Sequence, residues 1–90
     1  QLRAELIQQL MCQGEVDGRA LGRRHGVQFE EYFAQDLQAV QRLQQDGLAE
    51  YSEGVVRTSE PGRPLLRLLA MCFDPYLRAA QEQPRYSRAI

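Results

Sequence analysis

Arg63, Arg67, Asp74 and Arg78 are the residues of this chain whose types and spacing could act together. They recur at intervals of four, seven and four, which is one stripe of a helix. Guanidinium groups form paired hydrogen bonds to carboxylates or phosphates, so the chemistry on offer is anion binding rather than bond breaking. The segment that carries them, residues 65–78 (LLRLLAMCFDPYLR), is otherwise apolar nearly all the way round. A helix in water needs one apolar face, and one that is apolar on every side needs cover on several. The pattern therefore suggests a domain that presses against something larger than itself.

Nothing else in the chain composes an independent active site. His25 is the only histidine, and its place at a helix end suits a solvated cap better than a base. No serine or cysteine has a sequence-visible partner for nucleophilic catalysis. CxxC, CxxxCxxC and HExxH patterns are absent, and no Gly-rich phosphate loop follows a strand. Cys12 and Cys72 each sit inside an apolar helical pattern and are expected to be buried free thiols. No metal site or resident cofactor is expected in these residues.

The 90 residues fit one domain with a modest core, and a hydrophobic fraction of 43% argues against disorder. A net charge of −1 removes any whole-chain electrostatic case for nucleic acid or an anionic membrane. All 11 basic residues are arginine. No signal-peptide pattern or bilayer-length apolar run is present, so a cytoplasmic location and no membrane partner are expected. The helical pattern is already under way at Gln1, as in a piece of a longer protein.

Several elements must position the arginine stripe. Leu2, Leu6, Ile7, Leu10 and Met11 mark an amphipathic first helix whose end Gly14 loosens. Asp17 is a plausible N-cap for a short second helix through His25, stopped by Gly26. Phe29, Tyr32, Phe33, Leu37 and Val40 trace a third helix with Glu30 and Glu31 in its first turn, ended by Asp46-Gly47. Leu48–Tyr51 and Val55–Thr58 read as two strands of a hairpin around Ser52-Glu53-Gly54. Thr58 or Ser59 can cap a helix from about Pro61 to Phe73. Asp74 and Pro75 suit an N-cap and first position that restart a helix from Tyr76.

The expected fold is mainly α: a winged-helix-like three-helix domain with a small β-hairpin, followed by C-terminal helices and a tail. Residues 1–83 would form the domain and 84–90 the tail. A plain helical bundle carrying a hairpin is the alternative. Winged-helix order does not bring nucleic-acid binding with it. The third helix would have to face phosphates, yet it holds Glu30, Glu31, Asp36 and Asp46 against Arg42 alone. Its Gln35, Gln38, Gln41 and Gln45 could read bases but cannot overcome that repulsion.

Six segments in order resemble one family: ELIQQLMC at 5–12, FEEYFAQDL at 29–37, DGLAEY at 46–51, GRPLLR at 62–67, MCFDPYLR at 71–78 and RYSRAI at 85–90. Together they are similar to the C-terminal domain of bacterial oxygen-independent coproporphyrinogen III oxidase, also called the dehydrogenase. Two positions depart from the family pattern as we read it. Leu68 stands where an asparagine commonly follows the arginine, and Val16 where leucine is more usual.

The resemblance implies a radical S-adenosylmethionine parent enzyme of anaerobic haem biosynthesis, which oxidatively decarboxylates coproporphyrinogen III to protoporphyrinogen IX. It implies a [4Fe–4S] cluster and S-adenosylmethionine, both held in an N-terminal barrel domain outside these residues. This chain would be the helical cap on that barrel, in a monomeric parent. Since the substrate is a tetracarboxylate, the resemblance makes Arg63, Arg67, Arg78, Arg85 and Arg88 candidate substrate ligands. Leu65, Leu69, Met71, Phe73 and Tyr76 become candidates for packing on the barrel. Other readings are a related radical-enzyme haem chaperone, or a winged-helix nucleic-acid-binding or dimerisation module.

Overall fold

Buried leucines at every fourth position fold the N-terminus in a computed structural model, which describes residues 1–77 of the chain. Leu2, Leu6 and Leu10 form the inward row of helix α1 (Leu2–Gln13). The Gln1 side chain caps it by accepting from the Ala4 N–H, and the Gly14 N–H returns to the Leu10 carbonyl at its end. Strand β1 (Glu15–Asp17) follows, then helix α2 (Gly18–Arg24), capped by Asp17, whose side chain accepts from the Ala20 N–H at 3.1 Å.

The third helix expected from the sequence is two pieces, α3 (Phe29–Tyr32) and α4 (Ala34–Gln45). The break falls at Phe33, where φ is −109° and ψ is 30°. The i to i+4 bonds from Phe33 to Phe29 and from Leu37 to Phe33 survive it. The side-chain phase therefore runs on through the kink, which is why the periodicity conceals it.

Strands β2 (Ala49–Ser52) and β3 (Val55–Thr58) form the expected hairpin. Glu53 and Gly54 both have positive φ, 52° and 84°, as a two-residue type I′ turn requires. Strand β1 was not foreseen. It pairs antiparallel with β3, Val16 opposite Val56, and gives a three-stranded sheet in the order β1-β3-β2. The succession α1, β1, α2, α3/α4, β2, β3 is that of a winged helix.

The apolar helix expected from Pro61 to Phe73 is also shorter. A 3-10 turn at Arg63–Leu65 leads into α5 (Leu66–Met71), and the chain turns at Cys72 and Phe73. Asp74 then accepts from the N–H groups of Tyr76 and Leu77 at 3.0 and 3.1 Å, so residues 75–77 restart a helix as expected. The core between α1, α4, α5 and the sheet centres on Leu6, Phe33, Val40, Val56, Leu69 and Phe73, each at most 1% exposed. Cys72 is buried, but Cys12 is exposed, contrary to expectation, because it lies on the outer side of α1. The boundary proposed at residue 83 and the tail 84–90 lie outside the described residues.

Candidate functional site

Four of the described arginines are committed to ion pairs. Arg19 binds Glu30 at 2.7 Å, Arg24 binds Glu5 at 3.0 Å, and Arg57 bridges Glu15 and Glu50 across the sheet. Arg3 on α1 donates to Asp36 on α4 and to the Phe73 carbonyl. Arg63 and Arg67 are exposed and make no ion pair among the described residues. Arg63 opens the 3-10 turn and Arg67 lies in α5, and both line one hollow on the stretch leading into that helix.

They stand beside an apolar groove. Helices α1 and α5 enclose a hollow of about 360 Å³ lined by Ile7, Met11, Arg67, Ala70, Met71, Asp74 and Leu77. An adjoining hollow of about 460 Å³ is lined by Met11 and residues 63–68. Met11 and Arg67 belong to both. The face thus combines two arginines that make no ion pair among the described residues with exposed apolar side chains, chemistry suited to an amphipathic acid or another protein surface.

The structure divides the residues singled out from the sequence. Arg63 and Arg67 line the same hollow, whereas Arg78, Arg85 and Arg88 lie outside the described residues. Leu65 is 46% exposed, Tyr76 is 88% exposed and Met71 is half-buried. Leu69 and Phe73, expected at an interdomain surface, are instead enclosed in this domain's own core. Side chains enclosed in this way offer no surface to a neighbour. Leu68 is half-buried beside the two arginines, and Val16 is a core residue of β1.

Sequence reasoning missed the Arg3 cluster. Asp36, counted from the sequence only among the acidic residues of the third helix, is buried. The Arg3 guanidinium lies 4.9 Å from the centre of the Phe33 ring, and Phe33 meets Phe73 edge-on at 5.6 Å. Asp36 is four residues before Val40 and three after Phe33, both core positions, and that offset is the signal that could have exposed it.

Two further polar clusters tie elements together. His25 Nε2 donates to Glu5 Oε1 at 2.9 Å, and with Arg24 holds the Glu5 carboxyl below the usual carboxylate range. His25 is thus a partner of α1 rather than a simple solvated cap. Tyr51 donates to Glu30 at 2.9 Å; burial, reinforced by that carboxylate, pushes its phenol up to about 12.

These residues do not fit an iron–sulfur cluster. The chain has two cysteines, one exposed and one buried, and a CxxxCxxC motif supplies three thiolates. Among the described residues no three His, Cys, Asp or Glu side chains gather to hold a metal, and no helix is long and apolar enough to cross a membrane.

Fold and surface together define a winged-helix-like module with an apolar groove bordered by exposed arginines. A family model described as the HemN C-terminal domain matches residues 1–65, and the chain belongs to that family. Oxygen-independent coproporphyrinogen III oxidase of Salmonella typhimurium is 39% identical over 89 residues, which are 99% of this chain and 20% of that one. The Escherichia coli protein of the same name is 34% identical over the same shares. The solved structure of E. coli coproporphyrinogen III oxidase (HemN), described as a radical SAM enzyme, superposes with a TM-score of 0.79 at 33% identity. It covers 83% of this chain and 17% of that one. The chain spans about a fifth of the length of the curated relatives it matches.

Proposed function

We propose that this chain is the cleft-covering terminal domain of an oxygen-independent coproporphyrinogen III oxidase, a cytoplasmic, monomeric radical S-adenosylmethionine enzyme. Its parent oxidatively decarboxylates two propionates of coproporphyrinogen III to vinyl groups, giving protoporphyrinogen IX and carbon dioxide. The [4Fe–4S] cluster and S-adenosylmethionine, which supply the radical, are held by a barrel domain outside these residues.

The observation that carries this reading is the similarity, 39% over 99% of the chain, to a protein of that name. The site fits the task. A reactive radical must be kept from water and stray hydrogen donors, so a domain that covers the cleft has a chemical purpose. The substrate carries four carboxylates, and Arg63 and Arg67 are exposed guanidinium groups that make no ion pair among the described residues. Arg78, Arg85 and Arg88 would add to that set. Leu65, Met71 and Tyr76 would pack on the barrel.

The test is anaerobic turnover by the full-length protein with S-adenosylmethionine and a reductant, read by chromatography of the oxidised porphyrins. Protoporphyrin at the expense of coproporphyrin is the expected result. Tight haem binding with no turnover would transfer the chain to the haem-chaperone branch.

A further inference from the structure

We propose that Arg3 is a positioning residue: it fixes where α5 stops and the course that residues 74–77 take past Arg67. Its consequence for turnover rests on the reading of Arg67 as a carboxylate ligand. After α5 the chain winds more tightly. The N–H groups of Cys72, Phe73 and Asp74 bond carbonyls three residues back, on Leu69, Ala70 and Met71. In a helix that continued, the Phe73 carbonyl would accept from the N–H of Tyr76 or Leu77. Both of those groups donate to the Asp74 carboxylate instead, at 3.0 and 3.1 Å, and Pro75 has no N–H to give. Asp74 thus draws the donors of the new turn away from the Phe73 carbonyl.

Arg3 supplies a donor from 70 residues away in sequence: its Nη1 meets the Phe73 carbonyl at 2.9 Å. Phe73 is 0% exposed, so a bond lost here does not pass to bulk water. The guanidinium is itself held in place. Asp36 accepts from the same nitrogen, and the Phe33 ring that lies 4.9 Å from the guanidinium carbon also meets Phe73 edge-on. The end of α5 is therefore made from two sides, by Asp74 on the N–H groups and by Arg3 on the carbonyl. Its effect reaches the surface, because Arg67, Asp74 and Leu77 line one hollow. The course of the turn sets what shares that hollow with Arg67.

The test uses the full-length protein and compares wild type, Arg3→Met and Val56→Ala, a core truncation made in the sheet rather than at the turn. Under native conditions the Tyr76 and Leu77 amides should exchange hydrogen roughly tenfold faster in Arg3→Met, through local opening of the turn. In Val56→Ala their exchange should be unchanged. Unchanged exchange in Arg3→Met, or equal acceleration in both variants, overturns the proposal. In anaerobic turnover Arg3→Met should raise KM for coproporphyrinogen III roughly fivefold with kcat kept, while Val56→Ala leaves KM alone. Equal KM in wild type and Arg3→Met, or an equal rise in both variants, overturns it too. Arg3→Lys, which leaves a cation beside Asp36, should move exchange and KM in the same direction by a smaller factor; movement in neither counts against the proposal in the same way. An enzyme that turns over no coproporphyrinogen III, yet shows the faster exchange, removes the oxidase reading and leaves Arg3 as the residue that fixes the turn.

Discussion

Arg3 reaches across 33 residues of sequence to hold the carboxylate of Asp36, and the same guanidinium nitrogen donates to the Phe73 carbonyl at 2.9 Å. One side chain therefore ties the start of α1 to α4 and to the turn from which the C-terminal segment departs. Asp36 is 2% exposed, and replacing Arg3 removes the cation that the buried carboxyl is paired with. Arg3→Met should cost about 3 kcal/mol, enough to lower the melting temperature by more than 10 °C in a domain of this size. Asp36→Ala should cost less, since the partly exposed Arg3 can turn to water. Equal melting temperatures for wild type and Arg3→Met would remove the pair from the stabilising contacts.

The Glu5 carboxyl gives a pH dependence of known sign. Its pKa is lowered in the fold, chiefly by the His25 hydrogen bond and then by Arg24. The unfolded chain thus binds the proton more readily, so the contribution is complete above its ordinary value near 4.5 and is lost as pH falls below that. The gap in melting temperature between wild type and Glu5→Gln should be present at pH 6 and close in acid. A gap that widens in acid would reverse the assignment.

Tyr51 gives the opposite sign at high pH. Its phenol is raised from 10.0 to about 12, so its contribution holds below pH 10 and fades as pH rises toward 12. Ultraviolet titration should show a late tyrosinate step near 12 that Tyr51→Phe abolishes. A step that persists in the variant belongs to another tyrosine.

Gly62 sits under the backbone of the β2 entry. A Cβ there would lie 2.0 Å from the Leu48 carbonyl oxygen, an atom with no rotamer by which to escape. Gly62→Ala should destabilise by roughly 2–3 kcal/mol, read from chemical denaturation. A change within error would mean that the turn moves freely.

For the full-length enzyme, loss of one charge-assisted contact to a propionate should raise KM for coproporphyrinogen III roughly tenfold or more in Arg67→Ala. Arg67→Lys should recover part of it, because a point charge replaces a fork. Unchanged KM with a lower melting temperature would make Arg67 structural.

Local chemistry made much of this fold legible. The Asp17 cap, the Asp74-Pro75 restart and the hairpin around Glu53-Gly54 are set by residues whose effects reach only a few positions. Strand β1 was not legible because Glu15–Asp17 is extended only by virtue of its pairing with β3, forty residues away. The fates of Leu69 and Phe73 were hidden for another reason. A residue bound for a domain's own core and one bound for a neighbour are equally apolar, and only packing separates them. The arginine stripe was legible, while the absence of an ion pair to Arg63 or Arg67 among the described residues required the folded positions of acids such as Glu5, Glu15, Glu30 and Glu50.

The most direct measurement compares the full-length enzyme with a form lacking residues 1–90, counting porphyrinogen decarboxylated per S-adenosylmethionine consumed under anaerobic conditions. If this domain covers the cleft, the shortened enzyme still consumes S-adenosylmethionine while the yield of protoporphyrinogen per equivalent collapses. An undiminished yield from the shortened enzyme would contradict the covering role.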